Sequence, residues 1–394
     1  MNAVIIIGAG LAGYTLAREF RKLDKTTPLT IITRDSGGFY SKPMLSNAFA
    51  QGKSAQQLVT QTSQQMAMQL AATILAETSV LGIDTQERTV RTDQGTFAYS
   101  ELVLAVGAQS IRLPIMGNAA PMVLTVNHVD DYGVFRALVD SHGQSTRVAI
   151  LGAGLIGCEF ADDLSGAGHI VTLIDPNVLP LASLAAPALS RALHRALSSN
   201  GVQMRLGATA VSIERGDPLT RVTLSDGSVV DADLVLSAVG LRPDCTLAAA
   251  AGLTVNHGIV VNAMGASSNA HVFALGDCAE YTVGVAGTTH LMPYIAPLMS
   301  AARAIARTLT GAPCLIDLKP SPVMVKTPSF PLALMAPPSG ATVGGAWIDD
   351  VGEARVISRF YDAAGVMVGF GVGPQDAAIR NALMASLGST LVPA

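Results

Sequence analysis

Charge is scarce in this chain. Only 14% of its 394 residues are Asp, Glu, Lys or Arg, and the formal net charge is -4. With a pI near 6.0 there is no basic footprint for nucleic acid, although a local basic patch facing an acidic protein is compatible with these values. Cysteine is scarcer. The four thiols, Cys158, Cys245, Cys278 and Cys314, are widely scattered, so no CxxC or CxxxxC redox pair and no metal-ligand cluster is present. The seven histidines show no HxxxH or HExxH spacing, and no metal is expected; free thiols in a reducing compartment fit this usage. Long apolar runs are missing too. Val4–Ile7 stops at Gly8, far short of the roughly 20 residues needed to span a bilayer, and neither a basic leader nor a cleavage site accompanies it. The expectation is a soluble cytoplasmic protein without membrane insertion.

Hydrophobic residues nevertheless reach 49%, with alanine supplying much of that share. At 40.5 kDa the chain exceeds a single-core size, and two or three domains follow. Short β-branched runs suited to strands buried on both faces recur at Val4–Ile7, Leu29–Thr33 and Leu102–Val106, with a helix over Tyr14–Leu23. The polar, Gln/Ala-rich stretch from Ser54 to Leu75 reads as helical, and Thr89–Arg91 with Gly95–Tyr99 as a hairpin. The scheme then restarts with strand Arg147–Leu151, helix Cys158–Gly166, strand His169–Ile174 and helix Ala186–Asn200. A hairpin turns at Ser225-Asp226-Gly227, and Leu234–Val239 closes the unit. Proline-rich Pro320–Pro338 reads as a boundary; beyond it Ala354–Phe360 and Met367–Val372 read as strands and Gln375–Leu387 as a helix.

Each half carries the same glycine signature between strand and helix. The first is Gly8-Ala9-Gly10-Leu11-Ala12-Gly13 and the second Gly152-Ala153-Gly154-Leu155-Ile156-Gly157. Glycines there permit a tight turn, close approach of a pyrophosphate to the backbone, and close helix–strand packing, while the helix N-terminus offers N–H groups to phosphate. An acid after the second strand can hold ribose hydroxyls. Asp35 and Asp175 stand in those places; away from such a motif, Asp35 reads as a turn residue. No Arg or Lys lies between Asp175 and Arg191 to meet a 2′-phosphate, which favours NADH over NADPH. Two dinucleotide folds imply one dinucleotide held permanently and one exchanged. FAD suits the permanent role because it accepts a hydride and releases single electrons, which side chains cannot do.

Beside these fingerprints, Leu102–Gly107 and Leu236–Pro243 resemble the strand-plus-glycine linkers, and Val272–Asp277 the second FAD motif, of the FAD-dependent pyridine nucleotide-disulphide oxidoreductase superfamily, ferredoxin reductase-like branch. Tyr40–Ser46, Gly154–Phe160 and Val325–Pro328 narrow the likeness to its rubredoxin-reducing members. The resemblance implies an α/β protein of two Rossmann-like, doubly wound, parallel-sheet nucleotide-binding domains, the second inserted in the first, plus a small C-terminal α+β domain. Its parts would be an FAD domain at 1–115 and 243–319, an NAD domain at 116–242 and a C-terminal domain at 320–394. It assigns Gly8, Gly10, Leu11, Ala12, Gly13, Asp35, Lys42, Val80, Glu159, Asp277, Ile295 and Lys326 to FAD, and Gly152, Gly154, Gly157 and Asp175 to NAD. Asp277 would hydrogen-bond the ribityl chain, and Val80 and Ile295 would contribute backbone atoms.

Lys42 and Glu159 are implied to form an ion pair beside flavin N5, where a positive charge favours the reduced ring. The plainer readings are a solvated loop lysine and a first-turn acid complementing its helix dipole; for Lys326 the plainer reading is a surface lysine. Ser41–Ser46 holds none of the cysteines by which disulphide reductases and NADH peroxidases of the superfamily work, so electrons would leave the flavin directly. Cys158 reads as a packing thiol, with nicotinamide-side proximity the alternative. The implied activity is NADH-dependent reduction of rubredoxin, an acidic protein with one iron in four thiolates, met by Lys42, Lys319 and Lys326 and supplying an alkane hydroxylase, by a monomer or weak dimer. The alternatives are reduction of a ferredoxin or a flavo-diiron protein, an NADH oxidase, or a non-catalytic NADH-sensing protein.

Overall fold

A computed structural model describes residues 3–283 and 288–390. The chain divides into two compact units. The first holds residues 1–42, 56–109 and 241–319, and the second residues 43–55, 110–240 and 320–394.

In the first unit, strand Ala3–Ile7 lies between Leu29–Ile32 and Gly95–Leu104, with Thr73–Leu75 outside the former and Val272–Ala274 outside the latter. All five run parallel, and Val4, Ile5, Ile6 and Ile7 are buried, so a continuous apolar run, rather than an alternating one, forms the strand. The expected hairpin is present, but its second strand is longer than its alternation indicated. Residues Gly95–Leu104 form one strand whose start pairs antiparallel with Thr89–Thr92 and whose end joins the parallel sheet. Helix Leu11–Leu23 packs against helix Ile295–Leu309.

The segment expected to be helical from Ser54 to Leu75 is broken. Helix Ala55–Leu58 gives way to strand Val59–Gln61, helix Ser63–Leu70 and strand Thr73–Leu75. Thr62 caps the second helix through a reciprocal box with Gln65, and Ala71 ends it in the left-handed region. A cap satisfies backbone donors only where a helix begins anew, which composition alone does not reveal.

In the second unit, Gln203–Leu206, Ile170–Asp175, Arg147–Leu151 and Leu234–Ser237 form a parallel sheet of their own, with an antiparallel sheet of Ala210–Arg215, Thr220–Leu224 and Val229–Ala232 beside it in sequence. The carboxy-terminal segment forms a five-stranded antiparallel sheet in the order Val323–Val325, Leu332–Met335, Met367–Gly373, Val356–Tyr361, Ala346–Val351, followed by helix Ala377–Ala385. Two of these strands fall inside the proline-rich stretch expected to be a boundary, where prolines flank rather than interrupt them. This sheet seats on helix Pro187–Ser199: a Cβ on Gly371 would lie 2.3 Å from Leu189 Cδ1, so the small residue sets the approach. Among the described residues no helix is long and apolar enough to cross a membrane.

Candidate functional site

The two glycine motifs adopt matching geometry. Gly8 and Gly152 have φ of +111° and +103°, where side-chain-bearing residues are strained, and a Cβ on either would collide with the carbonyl of Ala105 or Ala238. A Cβ on Gly13 would lie 2.0 Å from Gly8 O, and one on Gly157 would lie 1.9 Å from Gly152 O. These glycines let helix and turn touch. The middle glycines differ in kind: around Gly10 and Gly154 a Cβ would meet nothing within 4 Å. What they keep clear is space outside the backbone.

The helix ends at those spaces carry no side-chain cap. Gly10 and Gly154 are N-caps without side-chain hydrogen bonds, and neither first turn carries an acid. Each therefore presents backbone N–H groups and the positive end of its dipole to a diphosphate. The helix that begins at Ile295 is likewise uncapped by a side chain, and Leu298 in its first turn approaches Gly276, the residue before Asp277. Gly276 in turn faces Ala12 and donates its N–H to Tyr281 Oη. The fold thus brings Gly10, Leu11, Ala12, Gly13, Asp277 and Ile295 to one region of the first unit. Residues 77 and 78 donate backbone N–H to Asp35 O and Thr33 O, which carries Val80 to the end of the sheet that holds Asp35. Lys42 Nζ lies 3.9 Å from Asp277 Oδ2, so a cation stands in the same region.

The two acids that follow the second strands are placed differently. Asp175 ends strand Ile170–Asp175; its Oδ2 accepts from Ala153 N at 2.6 Å, and its Oδ1 from Asn177 N and Nδ2. Asp35 lies beyond the end of Leu29–Ile32, and its Oδ1 is held by Thr33 Oγ1 at 2.8 Å and Gly37 N at 2.9 Å. In both folds a fixed carboxylate oxygen pins the turn.

Glu159 and Lys326 belong to the second unit and meet there. Glu159 is fully buried on helix Leu155–Gly166. Its Oε1 accepts from Lys326 N at 2.8 Å, and its Oε2 takes Lys326 Nζ and Ser46 Oγ, each at 2.5 Å. A buried carboxylate is tolerable when paired and fully hydrogen-bonded, and this one is. The plainer reading of Lys326 as a solvated surface lysine is therefore set aside. Asn47 Nδ2 donates to Lys326 O, while its Oδ1 is a buried acceptor without a hydrogen-bond partner among the described residues, which suits a donor supplied by a bound group. Phe49 was not singled out by the sequence, yet it anchors the segment after Lys42: its ring stands edge-on to Tyr132 and Phe135, both at 5.4 Å, beneath the Arg136 guanidinium. The docking cations fare less well. Lys319 pairs with Asp317 at 2.9 Å, Lys42 lies beside Asp277 and Lys326 pairs with Glu159, so each has an acid neighbour.

The pyridine nucleotide-disulphide oxidoreductase family matches residues 2–305, and a rubredoxin binding C-terminal domain matches residues 315–387. The chain belongs to the pyridine nucleotide-disulphide oxidoreductase family. It is similar to the rubredoxin-NAD(+) reductase of Alcanivorax borkumensis, 42% identical with 94% of each chain covered, and to that of Acinetobacter baylyi, 38% identical with 100% of each covered. The nitric oxide reductase FlRd-NAD(+) reductase of Aeromonas hydrophila is 38% identical over 94% of this chain and 92% of its own. Among solved structures, a ferredoxin reductase from Rhodopseudomonas palustris superposes with a TM-score of 0.88 at 26% identity, covering 99% of this chain and 96% of its own. The protein is an oxidoreductase with the cofactors of its family, FAD and NADH.

Two of the four thiols, Cys158 and Cys278, are inert. Cys158 is fully buried, its Sγ directed to Ala153 O, and burial pushes its pKa well above the ordinary thiol value. Burial lifts Cys278 to about 12. Neither is a thiolate at neutral pH, so neither is a nucleophile.

Asp163, buried on the same helix as Glu159, accepts from Phe49 N at 2.7 Å and Ala50 N at 3.2 Å. Desolvation dominates and raises its pKa despite those bonds. The folded protein then binds this proton more tightly than the unfolded chain. Its contribution is most favourable below the ordinary carboxylate pKa of about 4 and declines as pH rises through the raised value. Denaturant unfolding followed as pH rises above about 4 should show that decline in the parent, and Asp163→Asn should lose it.

Proposed function

We propose that this enzyme oxidises NADH and passes the electrons one at a time to rubredoxin. The observation that carries the reading is the match of residues 315–387 to a rubredoxin binding C-terminal domain, on a sheet that belongs to the NAD-side unit. Similarity to rubredoxin-NAD(+) reductases over 94% or more of the chain supports it.

FAD, held at the first fold, supplies the conversion of a hydride into two single electrons. The chain's own residues do the holding. Gly10 and Gly154 keep the pyrophosphate spaces clear, and Asp35 and Asp175 receive the ribose hydroxyls. Asp277 orients the ribityl chain, and Val80 and Ile295 contribute backbone atoms. Glu159 holds Lys326 within the second unit and Lys42 stands beside Asp277 in the first; each would offer the flavin a fixed cation, which favours the electron-rich ring without reorganisation. Pairing of Lys42 itself with Glu159 is part of the proposal. Positioning the nicotinamide against the flavin makes hydride transfer effectively unimolecular. An NADH-specific site, a cytoplasmic setting and a role beside an alkane hydroxylase complete the reading.

A second acceptor has its own support: similarity to the FlRd-NAD(+) reductase of Aeromonas hydrophila and to a ferredoxin reductase structure. Anaerobic NADH oxidation with purified rubredoxin, ferredoxin and a rubredoxin-bearing flavoprotein, each at the same concentration, separates the acceptors. The highest kcat/KM should fall to free rubredoxin; a ferredoxin preferred about tenfold would defeat the proposal. Iodoacetamide reaches the partly exposed Cys245 and Cys314 of the native enzyme, and alkylation should leave NADH-dependent acceptor reduction within about twofold of the untreated rate, whereas a relay through an accessible thiol would lose nearly all of it.

A further inference from the structure

Helix Leu155–Gly166 carries three acids on one buried face. Glu159, Asp162 and Asp163 stand at i, i+3 and i+4 and are 0, 1 and 2% exposed. Two strips of chain, distant in sequence, are tied to this face. The first is Ser46–Ala50, just beyond Lys42: Ser46 Oγ donates to Glu159, and the N–H groups of Phe49 and Ala50 donate to Asp163. The second is Lys326–Ser329: Lys326 N and Nζ donate to Glu159, and Ser329 N and Oγ both donate to Asp162 Oδ2 at 2.8 Å. Asp162 Oδ1 is anchored by Asn200 Nδ2 at 2.7 Å. Asn47 Nδ2 to Lys326 O links the strips directly.

Each strip is therefore gripped twice, once at Glu159 and once by an aspartate a turn further along the helix. A single grip would leave the strip free to pivot; two fix its direction. Desolvating three neighbouring carboxylates is costly. Only Glu159 has an ion-paired lysine, which leaves Asp162 and Asp163 held chiefly by hydrogen bonds. Apolar side chains could pack this face at less cost, but they could not fix the position of a lysine amide and a serine hydroxyl.

We infer that Asp162 and Asp163 are positioning residues for the flavin site, acting through Lys326 and Ser46 on Glu159. Asp162 sets the strip that delivers Lys326, and Asp163 sets the strip that follows Lys42. This rests on the reading of Glu159, Lys42 and Lys326 as flavin-side residues. An amide in place of either aspartate keeps the volume but offers one acceptor oxygen, and at Asp163 it would turn an NH2 towards a backbone N–H.

The test uses purified holoenzymes carrying Asp162→Asn or Asp163→Asn. FAD dissociation, the limiting rate of flavin reduction by NADH, and the dissociation constant for NADH are measured beside the melting temperature. FAD should bind about tenfold more weakly and the limiting reduction rate should fall about tenfold, with NADH affinity within about twofold of the parent. Unchanged FAD affinity and reduction rate, whatever happens to the melting temperature, would mean that these acids only stabilise the fold. Should the asparagine variants fail to fold, Ser329→Ala decides the question, because it removes one donor to Asp162 and leaves the backbone bond. A loss of about threefold in the same two flavin readouts supports the inference, and parent-like values overturn it. None of these measurements involves the acceptor, so a failure here is distinguishable from a failure to reduce rubredoxin.

Discussion

Gly154→Val should give a folded, yellow protein that NADH scarcely reduces. Gly154 has a φ of -73°, which valine accepts, and a Cβ there meets nothing within 4 Å. The substitution therefore leaves the packing of the second fold undisturbed and fills only the space that the dinucleotide needs. Loss of close approach to the uncapped helix end removes the hydrogen bonds and dipole interaction that hold the pyrophosphate, and it displaces the nicotinamide from its reaction geometry. Misplacement of about 1 Å already costs about 100-fold in rate, so flavin reduction at fixed NADH should slow by at least about 100-fold while FAD content stays at parent level. Stopped-flow absorbance of the flavin reads this directly. Gly152→Val is the informative contrast. Its φ of +103° and its approach to Ala238 O mean that folding itself should suffer.

Gly10→Val makes the mirror experiment on the first fold. Gly10 sits at φ -74° with the same open surroundings. The variant should fold as a colourless apoprotein whose melting temperature equals that of the parent apoprotein within about 2 °C. Adding FAD should stabilise the parent through binding linkage and leave the variant unmoved. A yellow Gly10→Val protein with parent-like FAD content would show that the dinucleotide does not lie over this turn.

The signals that were legible in the sequence are local. Val4–Ile7 and Arg147–Leu151 are short apolar runs followed at once by Gly-x-Gly, and strand, turn and helix follow from those few residues. Asp35 and Asp175 were legible for the same reason, although the structure places Asp175 at its strand end and Asp35 beyond its own. The partners that could not be read are distant in sequence. Glu159 meets Lys326 at a separation of 167 residues, and Asp163 meets Phe49 at 114. No periodicity records a contact of that range. Asp162 and Asp163 look like ordinary polar positions of a helix, and only burial reveals that they face inward. The strand Ala346–Val351 leaves no sequence signal because it is a largely exposed edge without apolar alternation. The broken segment between Ser54 and Leu75 was misread because Thr62 acts as a cap only once Gln65 reaches back to it.

The central claim is that paired electrons from NADH leave this enzyme as singles, without sulphur. It is tested most directly by anaerobic titration of rubredoxin with NADH in the presence of catalytic amounts of alkylated enzyme, followed at the absorbance of the oxidised iron centre. NADH releases two electrons and a proton, and each iron takes one electron. The account predicts two rubredoxin molecules reduced for every NADH consumed, at the rate of the unmodified enzyme. NADH consumption that requires oxygen, or rubredoxin reduction that disappears on alkylation, would contradict it.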